Sequence, residues 1–414
     1  MTNYSQQILS NIAKSEFNNQ DLMAKAISHD TTEDLISLSD SLLEQGFVDD
    51  AKGLLESLQE HHKVNDAGNI NLAEIYIDEG DDDAALALID KISEKSSLYL
   101  AAQIDKADLY ESEGLLESAE GILLDLQNVS DDPLVRFALA EFYDAEGENG
   151  KSAQLYDYLI DQGHERIGDI DLHERLANAL ASNGEFEESI GEFETVGLKN
   201  LSAKENGLLA RAYLQVGDEQ KAQALLEKNI ENEEASLEDY LNLAEALLKE
   251  GNIEGQIRSL QLAKNFDPFN IQTRFQLALA QSNAKQYSLS DSELAEIVKK
   301  DPSQTQAISL LAYNLLQEKQ DDQVLSLLNA HIEDEEIDQH YFWYLGLAYF
   351  HLDQQATAEK NFNQVKKYFA NEPAFLKDAF FIFKNTDTTQ ARIFLENYLK
   401  LVPDDFEMAN YLLS

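Results

Sequence analysis

Asp78-Glu79-Gly80-Asp81-Asp82-Asp83 is the densest set of potential cation ligands in the sequence. A calcium loop needs oxygen ligands at alternate positions, a glycine at the sixth and a glutamate at the twelfth. This run has neither that spacing nor the terminal glutamate. It falls where a turn between helices is expected, so its acids read as helix N-terminal residues that favour the macrodipole. Eight histidines are spread along the chain, at His29, His61, His62, His164, His173, His331, His340 and His351. None stands in H-E-x-x-H, and no pair has the i, i+4 spacing that puts two ring nitrogens on one metal. They read as isolated surface residues, with His340 and His351 also placed to share a groove with Trp343, the single tryptophan. No G-x-S-x-G, Walker or G-x-G-x-x-G segment occurs. With 78 Asp and Glu in 414 residues, the presence of paired carboxylates carries no information about acid–base catalysis. The chain is therefore expected to be no enzyme and to hold no metal and no cofactor.

There is no cysteine, which removes disulfides, cysteine-ligated zinc, thiol catalysis and a lipid-modified N-terminal cysteine. The start, Met1-Thr2-Asn3-Tyr4-Ser5-Gln6-Gln7, lacks the basic flank and apolar core of an export signal, and no later run is long enough to span a membrane. A cytoplasmic location is expected. The formal net charge is −47 and it is uneven: residues 1–250 hold 17 basic and 55 acidic residues, and residues 251–414 hold 14 and 23. Such a surface repels nucleic acid and anionic membrane and steers basic partners toward itself. The same charge would equally keep a long chain dissolved, so charge alone does not decide between the two.

Acids do something specific only if a scaffold puts them on one face, and the sequence contains a periodic one. Gly (18) and Pro (5) are scarce, and Ala, Leu and Glu recur at helical spacing. A small residue falls at Ser39, Ala73, Ala107, Ala140, Ala177, Ala210, Ala244, Ala278, Ala312, Gly346 and Ala379, in steps of 34, 34, 33, 37, 33, 34, 34, 34, 34 and 33. Seven residues after this anchor lies Gly46, Gly80, Gly114, Gly147, Gly184, Gly217 or Gly251. Glycine there ends a helix in the left-handed conformation. The last four copies have Lys285, Lys319, Asp353 and Thr386 instead, so their turns should differ or carry strain. Twelve residues after the anchor comes a second small residue, with Gln256 and Val324 as departures that put local packing in doubt. Pro268, Pro302 and Pro403 stop second helices.

The stretch Phe342-x2-Leu345-Gly346-x2-Tyr349, followed by Ala358-x3-Phe362, resembles the tetratricopeptide repeat (TPR), whose pattern is W-x2-L-G-x2-Y then A-x3-F in 34 residues. The resemblance implies an all-α, right-handed α-solenoid of about eleven stacked helix hairpins. One hairpin cannot bury its apolar face alone, so neighbours and polar caps are required. Residues 1–31, with Ile8, Ile12, Phe17, Leu22 and Met23, read as N-terminal capping helices. Residues 32–160 are acidic repeats 1–4, 169–404 are repeats 5–11, and 405–414 are a C-terminal cap. Residues 161–168 take up the one long step. Two glycines in a polar segment suit a hinge between halves, or a merely longer turn between repeats. The acidity, the lack of cysteine and the lack of any added domain also resemble the YpiA-type TPR proteins of low-GC Gram-positive bacteria.

In this family the first helices line the concave face, and the residue after the anchor points into the groove. Here that position reads Asp40, Glu74, Asp108, Glu141, Asn178, Arg211 and Glu245, then Leu279, Tyr313, Leu347 and Phe380. Three residues before the anchor stand Phe275, Ser309, Trp343 and Leu376, and four after it stand Phe350 and Phe383. The groove is thus expected to run from a ladder of carboxylates to an aromatic and aliphatic stretch. Both have a plainer reading: acids fall often on any solvated face of so acidic a chain, and the aromatics could pack repeat on repeat. The family implies a non-enzymatic scaffold that holds a basic and apolar segment of a partner protein, with no nucleic acid and no membrane among its partners. A carboxylate-terminal ligand is disfavoured because the basic residues of the family's carboxylate clamp are replaced by acids. The alternative is an acidic holding chaperone, or a nucleic-acid mimic, that sequesters basic proteins by charge.

Overall fold

The computed structural model describes residues 3–14, 19–61, 64–332 and 337–412; Phe17 and His62 lie outside them. Among the described residues there are twenty-five helices and one two-stranded hairpin. Two short helices, Tyr4–Ala13 and Gln20–His29, precede eleven consecutive helix pairs, and Phe406–Asn410 follows them. The pairs begin with Thr32–Glu44 and Val48–Glu60 and finish with Pro373–Phe383 and Thr388–Leu401, and each anchor lies in the first helix of its pair. The expected α-solenoid of helix hairpins is therefore what forms. It divides into two compact units, Met1–Asn200 and Leu201–Ser414.

Register is set by close approach. All eleven anchors are buried. At Gly346 a Cβ would lie 2.5 Å from the Phe362 ring of the partner helix, which explains why the motif is small at this position. Ser189 and Ser290, twelve after their anchors, donate their hydroxyls across the helix pair to the anchor carbonyls of Ala177 and Ala278 at 2.8 and 2.7 Å. Val324 is completely buried in its expected slot, so the larger side chain is accommodated there. Gln256 is only half-buried.

The turns inside the pairs are alike whether or not glycine is present. Gly46, Gly80, Gly114, Gly147, Gly184, Gly217 and Gly251 all have positive φ, and so do Lys285, Lys319 and Asp353, at 58, 60 and 59°. In each of these turns the following N–H reaches back to a carbonyl five residues earlier, as from Asp81 to Tyr76 and from Gln320 to Leu315, both at 2.8 Å. The bond closes the helix end and satisfies a carbonyl left open there. Thr386 does not follow the pattern: its turn is closed by Asp387 N–H to the Phe383 carbonyl at 2.8 Å.

Residues 161–168 lie inside the first unit. Arg166–Ile167 pairs antiparallel with Ile170–Asp171, and Ile167 and Ile170 pack against a core that includes Phe137, Tyr156 and Leu172. The three extra residues of the long step are thus spent on a strand hairpin that is sewn into the hydrophobic core. The division between compact units falls further on, after Asn200.

Within each unit several neighbouring first helices touch: Thr32–Glu44 meets Asp66–Glu79, Tyr99–Ser112 meets Pro133–Ala145, and His340–His351 meets Pro373–Phe383. Among the described residues, comparable closeness between second helices is confined to Gln20–His29 with Val48–Glu60. First helices therefore occupy the short, inner side of each stack. Two buried polar networks fix neighbours in the second unit. Asn229 Nδ2 donates to the Ala203 carbonyl at 2.8 Å and to Asp239 at 3.2 Å. Asn314 Nδ2 donates to Ser290 at 2.9 Å and to Asp291 at 2.8 Å, while Ser282 donates to its amide oxygen at 2.5 Å.

Two stability measurements check this register. Ala244→Glu puts a charge into a buried helix contact and is expected to destabilise the chain by about 3 kcal/mol; an unchanged thermal melt contradicts the assigned packing. Lys319→Gly relieves a left-handed lysine and is expected to stabilise by about 0.5–1 kcal/mol after the added freedom of the unfolded chain is counted. Chemical denaturation reads it, and a destabilised variant contradicts it.

Candidate functional site

One pairing recurs along the inner face. The residue after the anchor of one repeat meets the residue two before the anchor of the next. Asn71 Nδ2 donates to Asp40 Oδ1 at 2.5 Å. Arg175 pairs with Glu141 at 3.2 Å. The Tyr313 and Tyr344 rings lie 6.3 Å apart. Glu245 and Gln276 line one cleft of about 320 Å³ together with Leu241, Leu248, Gln256 and Leu279. In each of these couples the two side chains are compatible.

One couple is not. Glu74 of repeat 2 faces Asp105 of repeat 3, with Asp108 one helical turn along. Burial between the helices, then the charges of Glu74 and Asp108, push the Asp105 carboxyl up to about 6. The Glu74 carboxyl is raised by desolvation and then by Asp78 and Asp40. Asp108 is raised by burial, and Glu111 by burial and then by Asp108 and Glu146. Among the described residues no lysine or arginine pairs with Glu74, Asp105, Asp108 or Glu111. The nearby cations are committed elsewhere: Lys106 to Asp90 at 2.6 Å, and Lys52 to Glu79 at 2.5 Å. A lysine or arginine brought from outside would neutralise this repulsion, which is the chemistry the face can perform.

Asp40, Glu74 and Asp108 lie exposed along the inner side of the first unit. Glu141 is engaged by Arg175 and by the Tyr156 hydroxyl, which donates to its other oxygen. Glu245 is exposed in the second unit and pairs with Lys249 at 2.9 Å. The aromatic stretch needs a correction. Trp343, Phe380 and Phe383 are only 7, 5 and 2% exposed and belong to the core. Trp343 is covered by Phe369 and Phe375, at ring distances of 5.2 and 5.3 Å, and by His340 stacked at 5.9 Å. These rings fill the space between repeats 10 and 11. Phe275, Leu347 and Phe350 are half-buried, and Tyr313 is 37% exposed.

Asp105, Glu111 and Asp378 did not figure among the expected residues. Asp105 sits two before its anchor and Asp378 one before, positions that face the neighbouring repeat and acquire meaning only with that neighbour in place. The signal available was an acid opposite another acid under the pairing rule. His340 and His351 each hold a carboxylate, Asp338 at 2.7 Å and Asp321 at 2.8 Å. Among the described residues no group of three or more His, Cys, Asp or Glu is placed to hold a metal ion. No helix there is long and apolar enough to cross a membrane.

Comparison with known proteins places repeats of one kind along the chain. Residues 340–405 match the model described as YpiA-like, C-terminal tetratricopeptide repeats, and residues 112–164 match YpiA-like, tetratricopeptide repeats. Residues 42–97 and 207–228 match general tetratricopeptide repeat models. The TPR repeat-containing protein YpiA of Bacillus subtilis (strain 168) is 26% identical over 273 residues, which span 63% of this chain and 62% of that protein. Among solved structures, the Cut9–Hcn1 APC/C hetero-tetramer is similar at a TM-score of 0.43 and 12% identity, covering 98% of this chain and 94% of that one. The C-terminal part of a TPR repeat-containing protein from Cytophaga hutchinsonii is similar at 0.42 and 13% identity, covering 66% and 98%. YrrB, described as a TPR protein with an unusual peptide-binding site, is similar at 0.38 and 17% identity, covering 49% and 99%.

The repulsive couple has a measurable cost. Folded Asp105 keeps its proton up to about pH 6, whereas an unfolded aspartate releases it near pH 4. The folded state thus binds more protons between those values, and stability falls as pH rises through them. Asp105→Asn is expected to stabilise the chain by about 1 kcal/mol at neutral pH and to flatten that slope. Denaturant melts near pH 5 and 7.5 measure both, and a destabilised variant with an unchanged slope contradicts the placement.

Proposed function

This chain being built of tetratricopeptide repeats, we propose that its inner faces hold an extended basic and apolar segment of a partner protein, as a scaffold without catalysis. Tetratricopeptide repeats mediate contacts between proteins, and here the chemistry of the face selects the kind of segment. The observation that carries the reading is the Glu74–Asp105 couple with Asp108 beside it, an unneutralised carboxylate set at a position that elsewhere in the same stacks is filled by compatible pairs. Lysine or arginine side chains relieve it. In the second unit, half-buried Phe275, Leu347 and Phe350 with exposed Tyr313 supply apolar contact that a charge-only surface lacks. Carboxylates steer and orient the segment, and apolar contacts slow its release. The partner is thus a protein and not a nucleic acid or an anionic membrane, both of which the net charge of −47 opposes. The work of such a scaffold belongs in the cytoplasm.

Salt separates this reading from sequestration by charge alone. Calorimetric binding of a synthetic peptide that alternates arginine or lysine with leucine is measured from about 0.05 to 0.5 M salt, where screening shortens from more than 10 Å to a few Å. Binding is expected to weaken yet persist at the upper end, and to be lost there selectively in a Tyr313→Ala/Leu347→Ala variant. Complete collapse in the unmodified chain identifies charge-only capture, and no binding at low salt removes the proposal.

A further inference from the structure

We propose that in the second unit Asp378, together with the Trp343 and Tyr344 rings beside it, is the receptor for one arginine side chain of the partner segment. The inference rests on the reading above that the first-helix faces hold a partner, and it assigns one residue of that partner.

Three observations lead to it. First, Asp378 is a half-buried carboxylate on the first helix of repeat 11, held by the Trp343 indole N–H, which donates to Oδ2 at 3.0 Å. Among the described residues no group donates to Oδ1, and the residue keeps part of its surface open to solvent. Second, the basic side chains close enough to act on it are engaged elsewhere. His351 is held by Asp321 at 2.8 Å, and Lys377 by Asp405 at 3.1 Å. Burial pushes the Asp378 carboxyl up to about 6, and the Trp343 bond, His351 and Lys377 together pull against it without restoring the ordinary value. Among the described residues no basic side chain is paired with it. Third, its surroundings are aromatic. Tyr344 lies 5.8 Å from Trp343 and 6.3 Å from exposed Tyr313, and the negative charge of Asp378 contributes to raising the Tyr344 hydroxyl, behind burial, Asp338 and Tyr313.

A desolvated carboxylate beside ring faces suits arginine better than lysine. The planar guanidinium can take Oδ1 and share Oδ2 with the indole, and it can lie over a tyrosine ring while doing so. An ammonium offers a point charge without the fork and carries a tighter hydration shell that must be stripped. The geometry also supplies its own reporter. Trp343 is the sole tryptophan and is bonded to the receiving carboxylate, so its emission responds to occupation of this site and not to binding at the carboxylates of the first unit.

The test uses the full chain near neutral pH at about 0.15 M salt. The acetylated, amidated pentapeptide Leu-Arg-Leu-Arg-Leu is titrated while Trp343 fluorescence is followed, beside its lysine counterpart and beside calorimetry. A saturable Trp343 response is expected, several-fold weaker for the lysine peptide. Asp378→Asn keeps an acceptor for the indole and removes the charge. It should weaken the response about tenfold, equivalent to about 1.4 kcal/mol, with the thermal melt unchanged or raised. An Asp105→Asn/Asp108→Asn variant should leave the Trp343 titration as it was. Calorimetric binding with a silent Trp343, or an Asp378→Asn titration that matches the unmodified chain, overturns this assignment and leaves the broader reading intact. Absence of calorimetric binding at either unit overturns both.

Discussion

Close approach of two helix backbones at one small residue, made once in every repeat, is the constraint from which the rest of this structure follows. A side chain no larger than alanine or serine at the anchor lets the second helix of the pair come close, and the cost of filling that space is visible at Gly346, where a Cβ would meet the Phe362 ring at 2.5 Å. Because the contact recurs at nearly constant spacing, each first helix is presented to the next in the same orientation. That sameness brings the residue after one anchor opposite the residue two before the next. The inner face is consequently a series of couples whose chemistry is set by two sequence positions, and the packing of small residues indirectly decides which charges meet.

This arrangement separates residues that hold the stack from residues left to act. Trp343, Phe380 and Phe383 fill the core of repeats 10 and 11 and leave Tyr313, Leu347 and Phe350 accessible. Glu141 is satisfied by Arg175 and Tyr156, whereas Glu74, Asp105 and Asp108 have no cation among the described residues. A carboxylate set that repels itself costs stability, and under the proposed function a basic segment would relieve it. Asp378 repeats the theme on a smaller scale, with one indole hydrogen bond in place of a counter-charge.

The fold was legible because its determinants are local and repeated. The eleven anchors and the turn glycines predict the helix pairs, and the turns at Lys285, Lys319 and Asp353, expected to differ or to carry strain, keep the common geometry at a left-handed φ near 60°. Residues 161–168 read equally as a hinge or as a longer turn between repeats, because two glycines in a polar run carry no sign of the strand pairing that Ile167 and Ile170 anchor in the core. The site was legible in part. Helical phase assigns a face to Trp343, but depth depends on Phe369 and Phe375, which arrive from the following segment and cover it. Asp105 and Asp378 escaped notice because their significance lies in what the adjoining repeat places opposite them, a relation between two repeats that neither contains alone.

The central claim, that the first unit holds carboxylates waiting for an external cation, is tested most directly by titrating the Asp105 side-chain carboxyl by carbon-detected NMR, free and with the arginine–leucine peptide bound. The account predicts a midpoint of about 6 in the free chain, falling toward the ordinary aspartate range when the peptide is present. An ordinary midpoint in the free chain, or a raised midpoint that the peptide leaves unmoved, contradicts it.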